Sequence, residues 1–214
     1  MLLDIDDRPG LQASFSDAER VGEWNTALRQ YEQALQQANA RGDFPRATEL
    51  LRSIGRLHFE RGEYERATRV FQQSLEQADI IGSPGQKGAA LNCLAVVEQF
   101  RGNVDAAQQQ YQTAGLLAEQ AVDRKLTALV QQNLGVLATM RGEYEVALEH
   151  NQNALAAFRA LGDELASARV LNNIGMLHVD VAQLGYAEMS FRGALTLAER
   201  NGDAGLRVKI QTNR

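Results

Sequence analysis

The chain has a single cysteine, Cys93, and only three prolines in 214 residues. One cysteine excludes an intramolecular disulfide and fits a reducing compartment, so a cytoplasmic location is expected. So few prolines leave the long Ala, Gln, Glu, Leu and Arg stretches free to be helix. Aromatics make up 6% of the residues, which shifts the burden of the core onto alanine and aliphatic side chains. A basic excess is missing too: 22 Lys plus Arg stand against 27 Asp plus Glu, a net charge of −5. Without that excess there is little to displace counterions from phosphates, so no nucleic-acid partner is expected. No run approaches the roughly 18 apolar residues that a membrane helix needs. The start, Met1-Leu-Leu-Asp-Ile-Asp-Asp, lacks the basic and apolar regions of a signal peptide. No membrane contact is expected.

Catalytic and metal constellations are also wanting. His58 and His178 hold the same position three repeats apart, too far along an elongated array to share a zinc ion. Cys93 has no histidine in its own helix and reads as a small packing residue. Gly82-Ser-Pro-Gly85-Gln-Lys-Gly88 fails the spacing of a phosphate loop, and no strand precedes it, so it reads as a turn. With no nucleophile, base or cofactor motif, neither an enzyme nor a bound cofactor or metal is expected.

What is present is a period of 40. Gly22, Gly62, Gly102 and Gly142 are spaced by it, and Ala182 continues the series. Five residues after each stands Ala27, Ala67, Ala107, Ala147 or Ala187, without one insertion or deletion. Nine after each comes Tyr31, Phe71, Tyr111, Asn151 or Phe191. Within one unit, Tyr144, Ala147, Leu148, Asn151, Ala154, Leu155 and Phe158 step by three and four, which is one face of a helix. Val130, Leu134, Leu137 and Ala138 make a second face, and Arg141-Gly142-Glu143 is the turn between them. Each unit is therefore an αα-hairpin, with its second helix starting near 23, 63, 103, 143 and 183. Asp43, Ser83, Asp123, Asp163 and Asp203 suit the N-cap of the following unit, and Ser83 with Gln86 spells a capping box. Gly55, Gly135 and Gly175 sit in the middle of a helix, where glycine costs about 0.5–1 kcal/mol. Close approach of an aromatic from the partner helix would offset that cost. In the fourth unit Asn151 replaces the aromatic, and Phe158 appears where the others have alanine, which reads as a compensated swap of bulk.

These residues resemble the tetratricopeptide repeat. Leu134-Gly135, Gly142-Glu143-Tyr144, Ala147 and the pair Phe71 and Ser74 carry the likeness. The 40-residue unit is longer than the family's commonest one and is similar to the repeats of LGN/Pins-type adaptors and bacterial regulators. The resemblance implies an all-α fold, a right-handed superhelical solenoid of antiparallel helix hairpins. It divides the chain into an N-terminal segment with an adapted terminal helix (1–21), the array (22–205) and the start of a further, truncated repeat (206–214). Phe15 stands at the notch position of that first helix. The register of the last residues also leads us to expect a longer protein, cut inside a repeat.

In the family the first helix of each unit, helix A, faces the ligand. That implies a groove row of Arg52, Asn92, Gln132 and Asn172, with Asn133 and Asn173 beside it. A second row holds Arg56, Val96, Val136 and Met176. Amide side chains both donate and accept, so a ladder of them suits the backbone of an extended peptide. Arg52 and Arg56, one turn apart, suit a carboxylate, although the same amides could also simply bond between neighbouring repeats. The expected partner is a protein or peptide with an acidic segment, held by an interaction scaffold. The alternative is a regulatory arm of a larger bacterial signalling or transcription-regulator protein, acting on its own output domain.

Overall fold

The computed structural model describes residues 24–214. The expected adapted helix before Gly22 lies outside the described residues. Within them the chain is ten α-helices with no strand: α1 (Trp24–Ala40), α2 (Phe44–Glu60), α3 (Tyr64–Ile80), α4 (Pro84–Phe100), α5 (Val104–Gln120), α6 (Arg124–Met140), α7 (Tyr144–Ala160), α8 (Glu164–Asp180), α9 (Leu184–Arg200) and α10 (Ala204–Asn213). Helix starts at 64, 104, 144 and 184 fall within one residue of the positions read from the repeat. Three-residue turns allow only antiparallel neighbours, so the fold is a solenoid of helix hairpins.

Each start has a local cause. Asp43, Ser83, Asp123, Asp163 and Asp203 all cap, accepting from the amides of Arg46, Gln86, Leu126, Ala166 and Leu206. Each such cap stabilises its helix by about 1 kcal/mol. The reciprocal half of the capping box is not made. Gln86 turns its Oε1 to Thr48 and Arg52 instead, and the Ser83 amide bonds to the Ala78 carbonyl. Pro84 opens α4 at once, so Gly85 and Gly88 belong to its first turns and not to a loop. Among the turns, Gly62, Gly102 and Gly142 take positive φ, and Ala182 does the same at 58°. A second positive-φ series, at Gly42, Gly82, Gly162 and Gly202, is broken by Val122, whose φ is 55°. A β-branched residue is rarely found there.

The described residues form two compact units, one ending at Ala121 and the other running from Val122 to Arg214. In the first, α2 pairs with α3 and α4 with α5, while α3 packs on α4. An ideal Cβ on Gly55 would lie 2.6 Å from Phe71 Cδ1, so the ring fills the notch that glycine leaves. Phe71 and Tyr111 are fully buried, and Ser74 donates to the Thr48 carbonyl at 2.9 Å. In the second unit α6 pairs with α7 and α8 with α9, α7 packs on α8, and α10 covers part of α8 and α9. Gly175 receives Phe191 as Gly55 receives Phe71. Gly135 faces the amide of Asn151, which donates to the Ala147 carbonyl at 2.8 Å. Phe158 does not enter that notch. It packs in the cluster of Ala128, Ala166 and Val170, so Asn151 fills its own space and the displaced ring serves another one.

Candidate functional site

In the first unit the expected groove residues are Arg52 and Arg56 on α2 and Asn92 and Val96 on α4, and all four are buried. A buried guanidinium needs partners, and Arg52 Nη1 finds one by donating to Gln86 Oε1 on helix A of the next repeat. Thr48 Oγ1 lies 2.9 Å from the same oxygen and 2.7 Å from the Pro45 carbonyl, which share its one proton. Arg52 therefore ties α2 to α4 through Gln86. Neighbouring Cys93 is buried, which pushes its thiol up to about 11, with Arg52 and Arg56 pulling the other way. The thiol is a packing group and not a thiolate. Gln86 was not among the expected site residues. Its position, 34 residues after Arg52 and in the first turn of helix A, was the available signal, hidden by its match to a capping box.

The second unit places Gln132, Asn133 and Val136 on α6 and Asn172, Asn173 and Met176 on α8. Gln132, Asn133 and Asn172 are buried, whereas Val136, Asn173 and Met176 keep part of their surface. Asn172 Oδ1 accepts from Asn213 Nδ2 at 3.0 Å, which joins α8 to α10 one repeat along. In this second unit two atoms of these rows have no hydrogen-bond partner among the described residues: the acceptor Gln132 Oε1 and the donor Asn173 Nδ2. Buried polar atoms are nearly always bonded, so this pair marks unused capacity. An acceptor and a donor are what a peptide group requires, and the half-buried Val136 and Met176 supply apolar surface one repeat apart.

Among the described residues no helix is long and apolar enough to cross a membrane. Residues 86–160 match the tetratricopeptide repeat family. No curated protein sequence matches the chain at a significant level. Among solved structures, BtubC from P. vanneervenii is 19% identical with a TM-score of 0.71, the match covering 89% of this chain and 81% of that one. A Rap protein complexed with Competence and Sporulation Factor is 14% identical with a TM-score of 0.81, over 92% of this chain and 55% of that one. The Rap conjugation gene regulator of the plasmid pLS20, in complex with the Phr* peptide, is 14% identical with a TM-score of 0.80, over 97% and 61%. This chain thus spans less than two thirds of either Rap chain. At these identities the likeness is one of fold. The turn glycines, the capped helix starts and the filled notches agree with the family match: residues 86–160 are tetratricopeptide repeats, and the other 40-residue units share their helix-hairpin fold.

Proposed function

We propose that the array is a non-catalytic interaction scaffold that holds an extended peptide or a segment of a partner protein along its A helices. The observation that carries this reading is the pair of unmatched amide atoms, Gln132 Oε1 and Asn173 Nδ2, set in rows that also present Val136 and Met176. Both atoms are buried, so a peptide backbone satisfies them with one N–H and one C=O once the two amide side chains turn toward the groove, and apolar ligand side chains settle against Val136 and Met176. In the first unit Arg52 and Arg56 add positive charge, which supports an acidic segment in the ligand. The similar Rap chains are held in complex with a factor and with a peptide, and this supports the same class of ligand here. The second reading, a regulatory arm acting on an output domain of its own chain, draws on the likeness to a conjugation gene regulator. The cysteine usage fits a cytoplasmic setting for either reading.

Selection from a random peptide library, with the 214-residue chain as bait, tests the proposal. Recovered peptides should lose about tenfold in affinity when Gln132→Leu and Asn173→Leu are combined, which corresponds to one or two lost hydrogen bonds. Unchanged affinity in a folded double variant would refute the use of this face.

A further inference from the structure

A cleft of about 500 Å³ opens in the second unit between the end of α7, the first half of α8 and the last half of α9. It lies among residues that the groove rows do not include. Its polar lining is Arg159, Glu164, Ser167 and Thr196, and its apolar lining is Leu171 and Leu197. Two departures from the repeat make it. Where the other second helices carry Gln33, Gln73, Thr113 and Asn153, α9 has Gly193. A Cβ there would meet only Leu171 Cδ1, at an ordinary 3.4 Å, so packing does not demand the glycine that weakens this helix. Where the others carry Asn39, Asp79, Glu119 and Glu199, α7 has Arg159.

The polar groups around the cleft are committed unevenly. The Arg159 side chain makes no ion pair or hydrogen bond with the described residues. Glu164 takes Arg200 Nη1 on one oxygen and Asn201 Nδ2 on the other, at 2.7 and 2.8 Å, and these bonds hold its carboxyl below the ordinary carboxylate value. Ser167 and Thr196 both give their protons to backbone carbonyls, those of Asp163 and Arg192. They offer a ligand lone pairs only. The cleft thus presents one available cation, a set of acceptors that includes a carboxylate, and an apolar patch. Its volume falls in the range of small-molecule sites.

The geometry points to a binding site for a small zwitterion with an apolar body, an α-amino acid with an aliphatic side chain. Its carboxylate pairs with Arg159, its ammonium donates to Ser167, Thr196 and Glu164, and its side chain covers Leu171 and Leu197. This site is separate from the A-helix rows and stands whether or not those rows hold a peptide.

Titration of the full chain with leucine, followed by backbone amide chemical shifts, tests it. Saturable shifts should gather at Gly162, Ser167, Gly193 and Thr196. Leucinamide, which lacks the carboxylate, and N-acetyl-leucine, which lacks the ammonium, should each bind at least about tenfold more weakly. Gly193→Gln restores the side chain of the first repeats, so it should raise the melting temperature while abolishing the leucine shifts. Arg159→Ala should remove them with the fold intact. Absence of saturable shifts with leucine would overturn the proposal, as would equal binding of leucinamide or a Gly193→Gln protein that still binds. Full retention of N-acetyl-leucine would overturn the zwitterion and assign the cleft to a peptide C-terminus.

Discussion

The first unit sets two cations, Arg52 and Arg56, into the rows that the second unit fills with Gln132, Asn172, Val136 and Met176. Both sets hang on the same frame of capped helix starts, positive-φ turns and glycine notches. The difference shows which positions are free to vary. Notch and cap residues touch the partner helix or their own backbone and admit few substitutes. The row positions lie between successive A helices, where charge, amide or aliphatic groups all find a neighbour. In the first unit that neighbour is Gln86, and in the second two amide atoms are left over.

The notches give the clearest contrast between the units. An alanine at Gly55 would drive its Cβ into the Phe71 ring, which is pinned in the core. At Gly135 the close group is the tip of the Asn151 side chain, although the Ala147 carbonyl stands 3.2 Å away. Gly55→Ala should therefore cost about 2 kcal/mol after its gain in helix propensity, and Gly135→Ala about half as much. Urea denaturation of both variants measures this, and equal losses would mean that ring and amide fill their notches alike.

The cationic row comes next. Arg52→Gln with Arg56→Gln should weaken capture of an acidic peptide about tenfold at low salt, and less at high salt, where screening already dilutes the charge. The same peptide should bind a Gln132→Leu variant with its salt dependence unchanged.

Most of the frame was legible in the sequence because its signals are local. Gly142 marks a turn by its own φ, Asp163 caps an amide three residues away, and Gly175 faces an aromatic 16 residues on in the same unit. Less legible was anything set by three helices at once. Arg52 looked like an open cation because its partner, Gln86, had a ready local reading as a capping residue. The swap of Asn151 and Phe158 looked like one exchange because both lie on one helix face, yet the two side chains fill different spaces. The cleft beside Gly193 draws on Arg159, Ser167 and Leu197, which no single window of sequence brings together.

Val122 separates the units in another way. Its left-handed φ carries a steric penalty that the glycines at the equivalent turns avoid. Val122→Gly should stabilise the protein by about 1 kcal/mol once the entropy of the added glycine is counted. A lower urea midpoint for the variant would contradict this account of the turn.

Acid should affect the second unit first, though modestly. Burial holds His150 below its ordinary value of 6.5, with Glu149 opposing. The unfolded chain therefore takes up a proton that the folded chain resists, so stability is full above pH 6.5 and falls as the pH drops below it. Glu63 in the first unit, and Glu164 and Glu188 in the second, are held below 4.5 chiefly by side-chain hydrogen bonds: Glu63 from His58, Glu164 from Asn201 and Glu188 from Arg214. Their contribution is present above the ordinary carboxylate value and is lost only as the pH falls through the folded one. His150→Gln should flatten the melting temperature between pH 7 and pH 5.5 and leave the lower limb in place. An unchanged slope would remove His150 from the account.

The central claim is that the amide rows of the A helices hold a peptide backbone. The side-chain amide signals of Gln132, Asn133, Asn172 and Asn173 report on that directly. On adding a peptide recovered by selection, these signals should show the largest shifts in the spectrum, and the Asn173 Nδ2 protons, which donate to the ligand, should gain protection from solvent exchange. A peptide that binds while all four stay at their free positions would contradict it.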